Sequence, residues 1–367
     1  MSILYDEGQE AIAVEARRVL DARTDKARLL ELLNDTGKFD ERFWSTAIEQ
    51  GWTGLAIPEE FGGLGLGLIE LGLIAQASGN VVSGAPFLTT NYGATSLLLA
   101  TGNEESMQKW LPAIASGDAI GAVAFGEGNS VLPSLPRTTF AGGRISGVKN
   151  GVTAGLRADF AIVWVDRGGK PALVLVELES VARDAIESFD NGRLFTDLTF
   201  ENAPATLLAE GDEARGAAID ALARMAVVTA HEQVGGAEAA MIEARDYANT
   251  RKAFGQPIGA FQSVKHRIAE LYGLVEIARA NCIHAASREG ESDFVAAAAA
   301  ARLSATEAYD TASRDAVQIH GGIGVTWESG LHLHMRRARS LAIEQGNAHP
   351  VSAGRSARAA WRVNVEG

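Results

Sequence analysis

The spacing of apolar residues changes twice along the chain, and this change constrains the fold more than any other feature. Residues 1–120 are mostly helical in pattern, and the helical spacing of apolar residues returns from about 216 to 345, within a C-terminal region of 216–367. Residues 121–215 instead contain short runs rich in Val, Ile, Phe and Thr, interrupted by Gly or Asn-Gly, which is typical of antiparallel strands. The pattern predicts three domains over these ranges: an N-terminal helical domain, a small β barrel or sandwich, and a C-terminal helical bundle.

The C-terminal part gives the clearest helical pattern. Val264, Ile268, Leu271, Val275 and Ala278 are spaced by four, three, four and three residues. This spacing predicts one apolar stripe along a single long helix. Several such helices joined by short loops predict a bundle.

Composition excludes several classes of protein. The chain has 367 residues, a net charge of −13 and no block of clustered Lys and Arg, so we expect no nucleic-acid surface. We also expect no membrane span, because no run of about 18 residues is apolar and free of charge. Cys282 is the single cysteine and is interpreted as a buried structural thiol. A lone cysteine, with no signal-peptide pattern at the N-terminus, predicts a cytoplasmic protein.

The stretch "TRKAFGQPIGAFQ" (250–262) follows a helical run and contains turn residues. An arginine at such a corner, Arg251, can bind a phosphate through two hydrogen bonds. Phe254 and Phe261 could pack on a flat ring, and Gln262 could hydrogen-bond to one. The alternative interpretation is an exposed arginine beside two core aromatic residues.

The stretch "QIHGGIG" (318–324) follows a second helical run and contains three glycines within four residues. Glycine can end a helix here and let backbone N–H groups approach a ligand closely. Taken alone, this stretch is also typical of an ordinary glycine-rich turn.

Read together, these two stretches, "PEEFGGLGLG" (58–67) and "RRAR" (336–339) resemble the acyl-CoA dehydrogenase family in order and spacing, over nearly the whole chain. The resemblance implies a mainly α fold with a central β domain: N-terminal helices, a β barrel and a C-terminal four-helix bundle. It implies FAD as cofactor, bound between barrel and bundle and partly by a neighbouring subunit. It further implies an acyl-CoA substrate, a homo- or hetero-oligomer (dimer or tetramer) and an electron-transfer flavoprotein as partner.

The resemblance also implies the cofactor-binding residues. Arg251 resembles the arginine on the FAD pyrophosphate, and Phe254 the aromatic residue at the adenosine side. Thr153 matches the threonine beside the flavin ring. The segment that receives the FAD of the other subunit corresponds to 318–322. The predicted cofactor set is Thr153, Arg251, Phe254, Gln262, Gln318, Gly321 and Gly322.

The middle domain departs from the family pattern. Members usually carry a Thr-Glu-Pro loop followed by Gly-Ser, and this chain has "AFGEGNSVLPS" (124–134), with Phe125, Gly126 and Glu127 in place of that signature. Ser130 could still donate a hydrogen bond. Gly151 stands where a tryptophan is common, two residues before the predicted flavin threonine.

The reaction of this family needs a carboxylate base, because an α-proton leaves the thioester while the β-hydrogen leaves as hydride. In much of the family a Glu lies 24 residues after the first glycine of the Gly-Gly motif, and here that position is Gln345. Its neighbour Glu344 is the candidate catalytic residue. Another branch carries the base on the first long bundle helix, where this chain has Met225, with Ala226 beside it and Glu232 two turns on.

Two versions of the function therefore stay open. The chain is either an active α,β-dehydrogenase with Glu344, or less favourably Glu232, as base, or the non-catalytic FAD-binding partner in a hetero-oligomer. Pairs of this kind process bulky CoA thioesters such as steroid side-chain fragments. The alternatives are a flavin monooxygenase or oxidase on the same fold, or a structural subunit. We expect no metal site, because His332 and His334 lie on different sides of a helix.

Overall fold

The structure is a computed structural model that describes residues 5–83 and 87–345. The N-terminal part is helical, as the pattern predicts. Capping residues define several of its helix starts: the Asp6 side chain accepts from the backbone N–H of Gln9, and Asn103 accepts from that of Ser106. The helices are α1 (Glu7–Arg23), α2 (Lys26–Leu32), α3 (Glu41–Glu49), α4 (Leu68–Asn80), α5 (Phe87–Thr101) and α6 (Glu104–Ser116).

The middle part is a sheet whose hydrogen-bonded strand order is β6-β7-β3-β2-β4-β5-β8, with β1 pairing in parallel to β4. Strands β4 and β5 are the most deeply buried, and Trp164 on β4 is fully shielded. The strands are β1 (Gly121–Ala124), β2 (Thr139–Ala141), β3 (Arg144–Thr153), β4 (Phe160–Asp166), β5 (Pro171–Glu177), β6 (Ala182–Ala185), β7 (Phe195–Pro204) and β8 (Thr206–Glu210).

The C-terminal part consists of long helices, α7 (Gly211–Thr250), α8 (Gln262–Ser287), α9 (Phe294–His320) and α10 (Leu331–Ile343). Two short strands, β9 (Lys252–Ala253) and β10 (Gln256–Pro257), form a hairpin between α7 and α8. Helix α7 starts immediately after β8, so the strand-rich segment ends five residues before the predicted boundary at 215. Asp212 and Glu213 in its first turn favour this start, because acidic side chains stabilise a helix N-terminus.

The apolar stripe predicted on α8 faces the bundle core. Leu271, Val275 and Ala278 are buried, and Val264 and Ile268 are half-buried. The predicted fold class, helices around a central β domain, is confirmed. None of the described helices is long and apolar enough to cross a membrane.

Glycines bring α4 and α7 into backbone contact. A Cβ atom on Gly79 would lie 1.9 Å from the carbonyl oxygen of Glu232, and one on Gly235 would lie 1.9 Å from that of Gln76. Only glycine permits this approach. The contact joins the N-terminal helices to the bundle and holds the middle of α7 inside the protein.

Candidate active site

A cavity of about 610 Å³ lies between the sheet and the C-terminal helices. The loop after β1 and the end of β3 form one wall, and α7 and the end of α10 form the other. The sheet side includes Ser130 and Thr153, and the helical side includes Leu222, Met225 and Ser340. Among the described residues that line this cavity, Glu344 is the sole carboxylate.

Both positions at which the sequence predicts a base lie in this cavity wall, and both carry neutral side chains. Gln345 follows α10 with a φ of 51°, and its Oε1 accepts a hydrogen bond from Thr229 Oγ1 at 3.0 Å. Met225 projects from α7 and is buried. Neither an amide nor a thioether can remove an α-proton from a thioester.

Glu344 lies at the cavity wall but is engaged by an arginine. Arg193 Nε donates to Oε1 at 2.7 Å and Nη2 donates to Oε2 at 2.6 Å, so the pair is bidentate. Both side chains are almost fully shielded from solvent. A general base must present an oxygen to the substrate proton, and the bidentate pair fixes both oxygens of Glu344 against Arg193.

Glu232, the second candidate base from the sequence, lies in the same network. It accepts from Arg193 Nη1 at 3.2 Å and from Arg337 Nη1 at 2.9 Å. Arg337 Nε also donates to Asp190 at 2.7 Å. We call these five residues, Asp190, Arg193, Glu232, Arg337 and Glu344, the arginine-held cluster.

The arginines of this cluster stay protonated. Burial lowers the pKa of Arg193, but the adjacent Glu232 and Glu344 more than offset that effect, and the net pKa is raised. The pKa of Arg337 is likewise raised, because Asp190 and Glu232 outweigh its burial. A rise in pH above neutral therefore does not remove the positive partners of this cluster.

A third buried arginine fixes the end of α10. Arg302 donates to the backbone carbonyl oxygens of Leu341 and Glu344, the latter at 3.1 Å. Burial lowers its pKa to about 10, although Glu344 opposes this effect. Arg302 thus ties the segment that carries Glu344 and Gln345 to α9.

The sheet side of the cavity contains a different buried pair, Glu127 and Lys149, which we call the lysine-held pair. Lys149 Nζ donates to Glu127 Oε1 at 2.7 Å, and both side chains are buried. Ser130 Oγ, in the same loop, is shielded and has no hydrogen-bond partner among the described residues. Thr153 is half-buried in the adjacent wall.

The remaining predicted cofactor residues lie on the surface and do not line the cavity. Arg251 is exposed at the end of α7, with no ion pair among the described residues, and Gln262 is exposed at the start of α8. Phe254 has a φ of 50°, is 96% exposed and lies edge-on to Phe261. Helix α9 ends before Gly321, whose φ of 60° suits glycine. Gln318, in the last turn of α9, is exposed, as are Gly321 and Gly322 after it.

The two surface stretches are neighbours in space. The ring of Tyr247, one turn before Arg251, stacks on that of His320 with 4.1 Å between centroids. The stacked pair borders an open cleft of about 530 Å³. The chain therefore presents "TRKAFG" and "QIHGGIG" at one end of the bundle.

The two histidines of α10 and the single cysteine make contacts within the fold. His334 is buried against Tyr309, and burial lowers its pKa to about 3, whereas His332 stacks on Trp327. Cys282 is buried, as predicted, and burial raises its pKa to about 12. No group of three His, Cys, Asp or Glu among residues 5–83 and 87–345 could hold a metal ion.

Sequence reasoning missed Asp190, Arg193, Arg337 and Lys149. The stretch "RRAR" contributes to the family resemblance but predicts no role for Arg337, which is buried. A charge inside an otherwise apolar helical pattern was available as a signal only at Glu232, since Asp190 and Arg193 lie between strands and Lys149 lies on β3. Such a charge indicates a buried partner without saying which residue it is.

Comparisons with known proteins agree with the order of domains in the fold. Residues 6–118 match the N-terminal domain of acyl-CoA dehydrogenases, and residues 215–349 match the C-terminal domain. Acyl-CoA dehydrogenase IpdE2 of Mycobacterium tuberculosis is 31% identical over 312 residues, which cover 85% of this chain and 84% of that protein.

Two solved structures resemble the chain over nearly its whole length. The ChsE4-ChsE5 complex of Mycobacterium tuberculosis matches with a TM-score of 0.84 and 27% identity, covering 95% of this chain and 96% of the other. A variant of the Tcur3481-Tcur3483 steroid ACAD matches with a TM-score of 0.82 and 27% identity, covering 93% and 94%. The chain belongs to the acyl-CoA dehydrogenase family.

Proposed function

We propose that this chain is the FAD-binding, base-free subunit of a hetero-oligomeric acyl-CoA dehydrogenase, and that a second chain of the family supplies the catalytic base. One observation carries the proposal. The two expected base positions hold Gln345 and Met225, while Glu344 and Glu232 are held by buried arginines. The active version with Glu344 as base would require this carboxylate to take up the substrate proton beside its paired guanidinium, Arg193.

The residues present fit FAD. The cavity has one wall with hydroxyl groups, including the unpartnered Ser130 Oγ, and one apolar wall with Leu222 and Met225. Such a site suits a flat ring that is polar at one edge. Arg251 is free to pair with a phosphate. When bound, FAD would supply the acceptor for the substrate hydride.

The chain's own residues would then bind and orient rather than transfer the proton. Ser130 and Thr153 would meet the polar edge of the ring from the sheet side. The stretches 250–262 and 318–322 lie outside the cavity, so we assign them to the phosphate and adenosine parts, shared with a neighbouring subunit. Gln345, held through Thr229, would contribute a neutral hydrogen-bonding group where other members carry a base.

Two of the similar solved structures, ChsE4-ChsE5 and Tcur3481-Tcur3483, are named as pairs of proteins, and the second is a steroid ACAD. These similarities support a hetero-oligomer and a bulky, ring-containing acyl-CoA thioester as substrate. We further propose that electrons pass to an electron-transfer flavoprotein and that the assembly is cytoplasmic.

Co-purification tests the proposal. The chain is expressed alone and together with an acyl-CoA dehydrogenase chain encoded beside it, and each preparation is assayed with acyl-CoA thioesters and an artificial electron acceptor. We expect both preparations to be yellow, and only the pair to turn over substrate. Turnover by the chain alone would overturn the base-free assignment, and a colourless chain that cannot be loaded with FAD would overturn the flavin assignment.

Glu344→Gln separates the two versions directly. If Glu344 were the base, its loss would cost about 10²- to 10⁴-fold in kcat. In the base-free assignment the kcat of the pair should change far less. Glu177→Gln, at an exposed carboxylate paired with Lys109, is the matched control.

The oxidase alternative differs in how reduced flavin reacts with O₂. An oxidase or monooxygenase needs no α-proton base, so the neutral wall alone is compatible with it. Rapid mixing of the reduced pair with oxygenated buffer decides between them. We expect slow reoxidation, and fast reoxidation would favour the oxidase reading.

A further inference from the structure

The cavity wall on the sheet side is a loop, residues 125–131, backed by the end of β3. Phe125, Gly126 and Ser130 of this loop line the cavity, as do Gly151 and Thr153 of β3. Such a loop binds a rigid ring reproducibly only if its backbone is fixed from behind.

Lys149 and Asn150 hold this loop from behind. Lys149 Nζ donates to the Phe125 carbonyl oxygen at 3.1 Å and to Glu127 at 2.7 Å. The backbone N–H of Asn150 donates to the Gly126 carbonyl at 3.1 Å, and Asn150 Oδ1 accepts from the Gly128 N–H at 3.1 Å. Consecutive wall residues are thus tied to β3.

Glu127 extends the same network to the start of β2. Its Oε2 accepts from the backbone N–H of Arg137 at 2.7 Å, and its Oε1 from that of Thr138 at 3.0 Å. One carboxylate therefore joins the first part of the loop, β3 and the chain that enters β2. The role of this buried pair is to fix the positions of the backbone segments that it joins.

We propose that Glu127 and Lys149 are positioning residues that hold the 125–131 wall, including Ser130 Oγ, in the geometry that binds the flavin ring. The inference rests on the proposed function, in which this cavity receives FAD. Neither residue lines the cavity, so both act through the backbone of the loop.

The pair is sensitive to pH because its cation is an amine. Burial lowers the pKa of Lys149 to about 8, against the opposing effect of Glu127, and Arg137 at the loop end lowers it further. Glu127 stays ionised: the hydrogen bonds from Lys149, Arg137 and Thr138 outweigh its burial and lower its pKa to about 2. Asp197 on β7 faces this end of β3 and accepts from the Gly151 N–H. Above about pH 8 the ion pair loses its positive partner.

The test measures FAD binding to protein freed of its cofactor, by flavin fluorescence and by the absorbance spectrum of the bound ring. Lys149→Met should weaken binding about tenfold or more at pH 7 and change the bound spectrum. FAD binding by the wild type should weaken between pH 7 and 9.5, with a midpoint near 8. Lys149→Met should lack this inflection. Lys109→Met, at an exposed ion pair, is the matched control.

Lys149→Arg covers the case in which Lys149→Met fails to fold. An arginine keeps its charge over this range, so its FAD affinity should be independent of pH where that of the wild type falls. Equal affinity and equal pH dependence in wild type and variants would overturn the inference while leaving the proposed function intact. A wild type that binds no FAD at any pH would overturn both.

Discussion

The two walls of the cavity each contain a buried group of opposite charges, and the two groups differ in their cations. On the helical wall, the arginine-held cluster joins Asp190 and Arg193 of the segment between β6 and β7 to α7 and α10. On the sheet wall, the lysine-held pair joins a loop to its neighbouring strand. The guanidinium groups of Arg193 and Arg337 keep their protons, because their pKa values are raised, whereas an ammonium group loses its proton readily when buried.

The difference teaches what each wall does. The arginines pair with Glu232 and Glu344, the two carboxylates that are candidate bases. The lysine holds a carboxylate that does not line this cavity and that contacts the loop forming its wall. In the proposed function, the first group therefore keeps Glu232 and Glu344 paired, and the second orders the loop that would bind the flavin ring.

Removal of Arg193 should have the largest effect. Arg193→Met leaves Glu232 and Glu344 buried with reduced or no compensation, and breaking a buried pair in this way costs about 3–5 kcal/mol. The free energy of unfolding, measured in urea, should fall by this amount.

Arg339→Met is the control, because its ion pair with Asp310 is half-exposed and such pairs contribute about 1 kcal/mol or less. Equal, small losses in both variants would mean that the arginine-held cluster contributes little, and the contrast between the two walls would fail.

Removal of Lys149 should lower the free energy of unfolding less than removal of Arg193. In Lys149→Met the carboxylate of Glu127 loses one partner but keeps the backbone N–H groups of Arg137 and Thr138. We expect a loss of about 1–3 kcal/mol, the range for a buried polar group that loses part of its hydrogen bonding. The same urea titration measures it. A loss as large as that of Arg193→Met would show that the two walls depend equally on their cations.

The sequence predicts the order of helices, strands and helices, because it depends on local spacing. The stripe on α8 and the helix end before Gly321 are predicted for the same reason. Register counting also identifies Gln345 and Met225, which both line the cavity although they are far apart along the chain.

The electrostatics of the site are not predictable in this way. Glu344 looks like a free carboxylate next to the expected base position, yet its partner Arg193 lies 151 residues away. Spacing along one helix says which face a charge occupies, and it says nothing about which distant element supplies the counter-charge. The assignment of Thr153 and the surface stretches to FAD also stays a prediction, because it depends on a bound ligand and a second chain.

The smallest expected effect is a difference in how the two walls respond to pH. The pKa of Lys149 is lowered from 10.5 to about 8 in the folded protein, chiefly by burial. Between these values the unfolded chain binds more protons than the folded one, so stability rises with pH. From pH 7 to 9 the free energy of unfolding of the wild type should therefore rise by about 1 kcal/mol relative to Lys149→Met. Arg193→Met should keep this rise, because Lys149 is intact in it and the arginines do not titrate. Urea unfolding of the three proteins at both pH values measures the effect, and a parallel response of wild type and Lys149→Met would refute the assigned titration of Lys149.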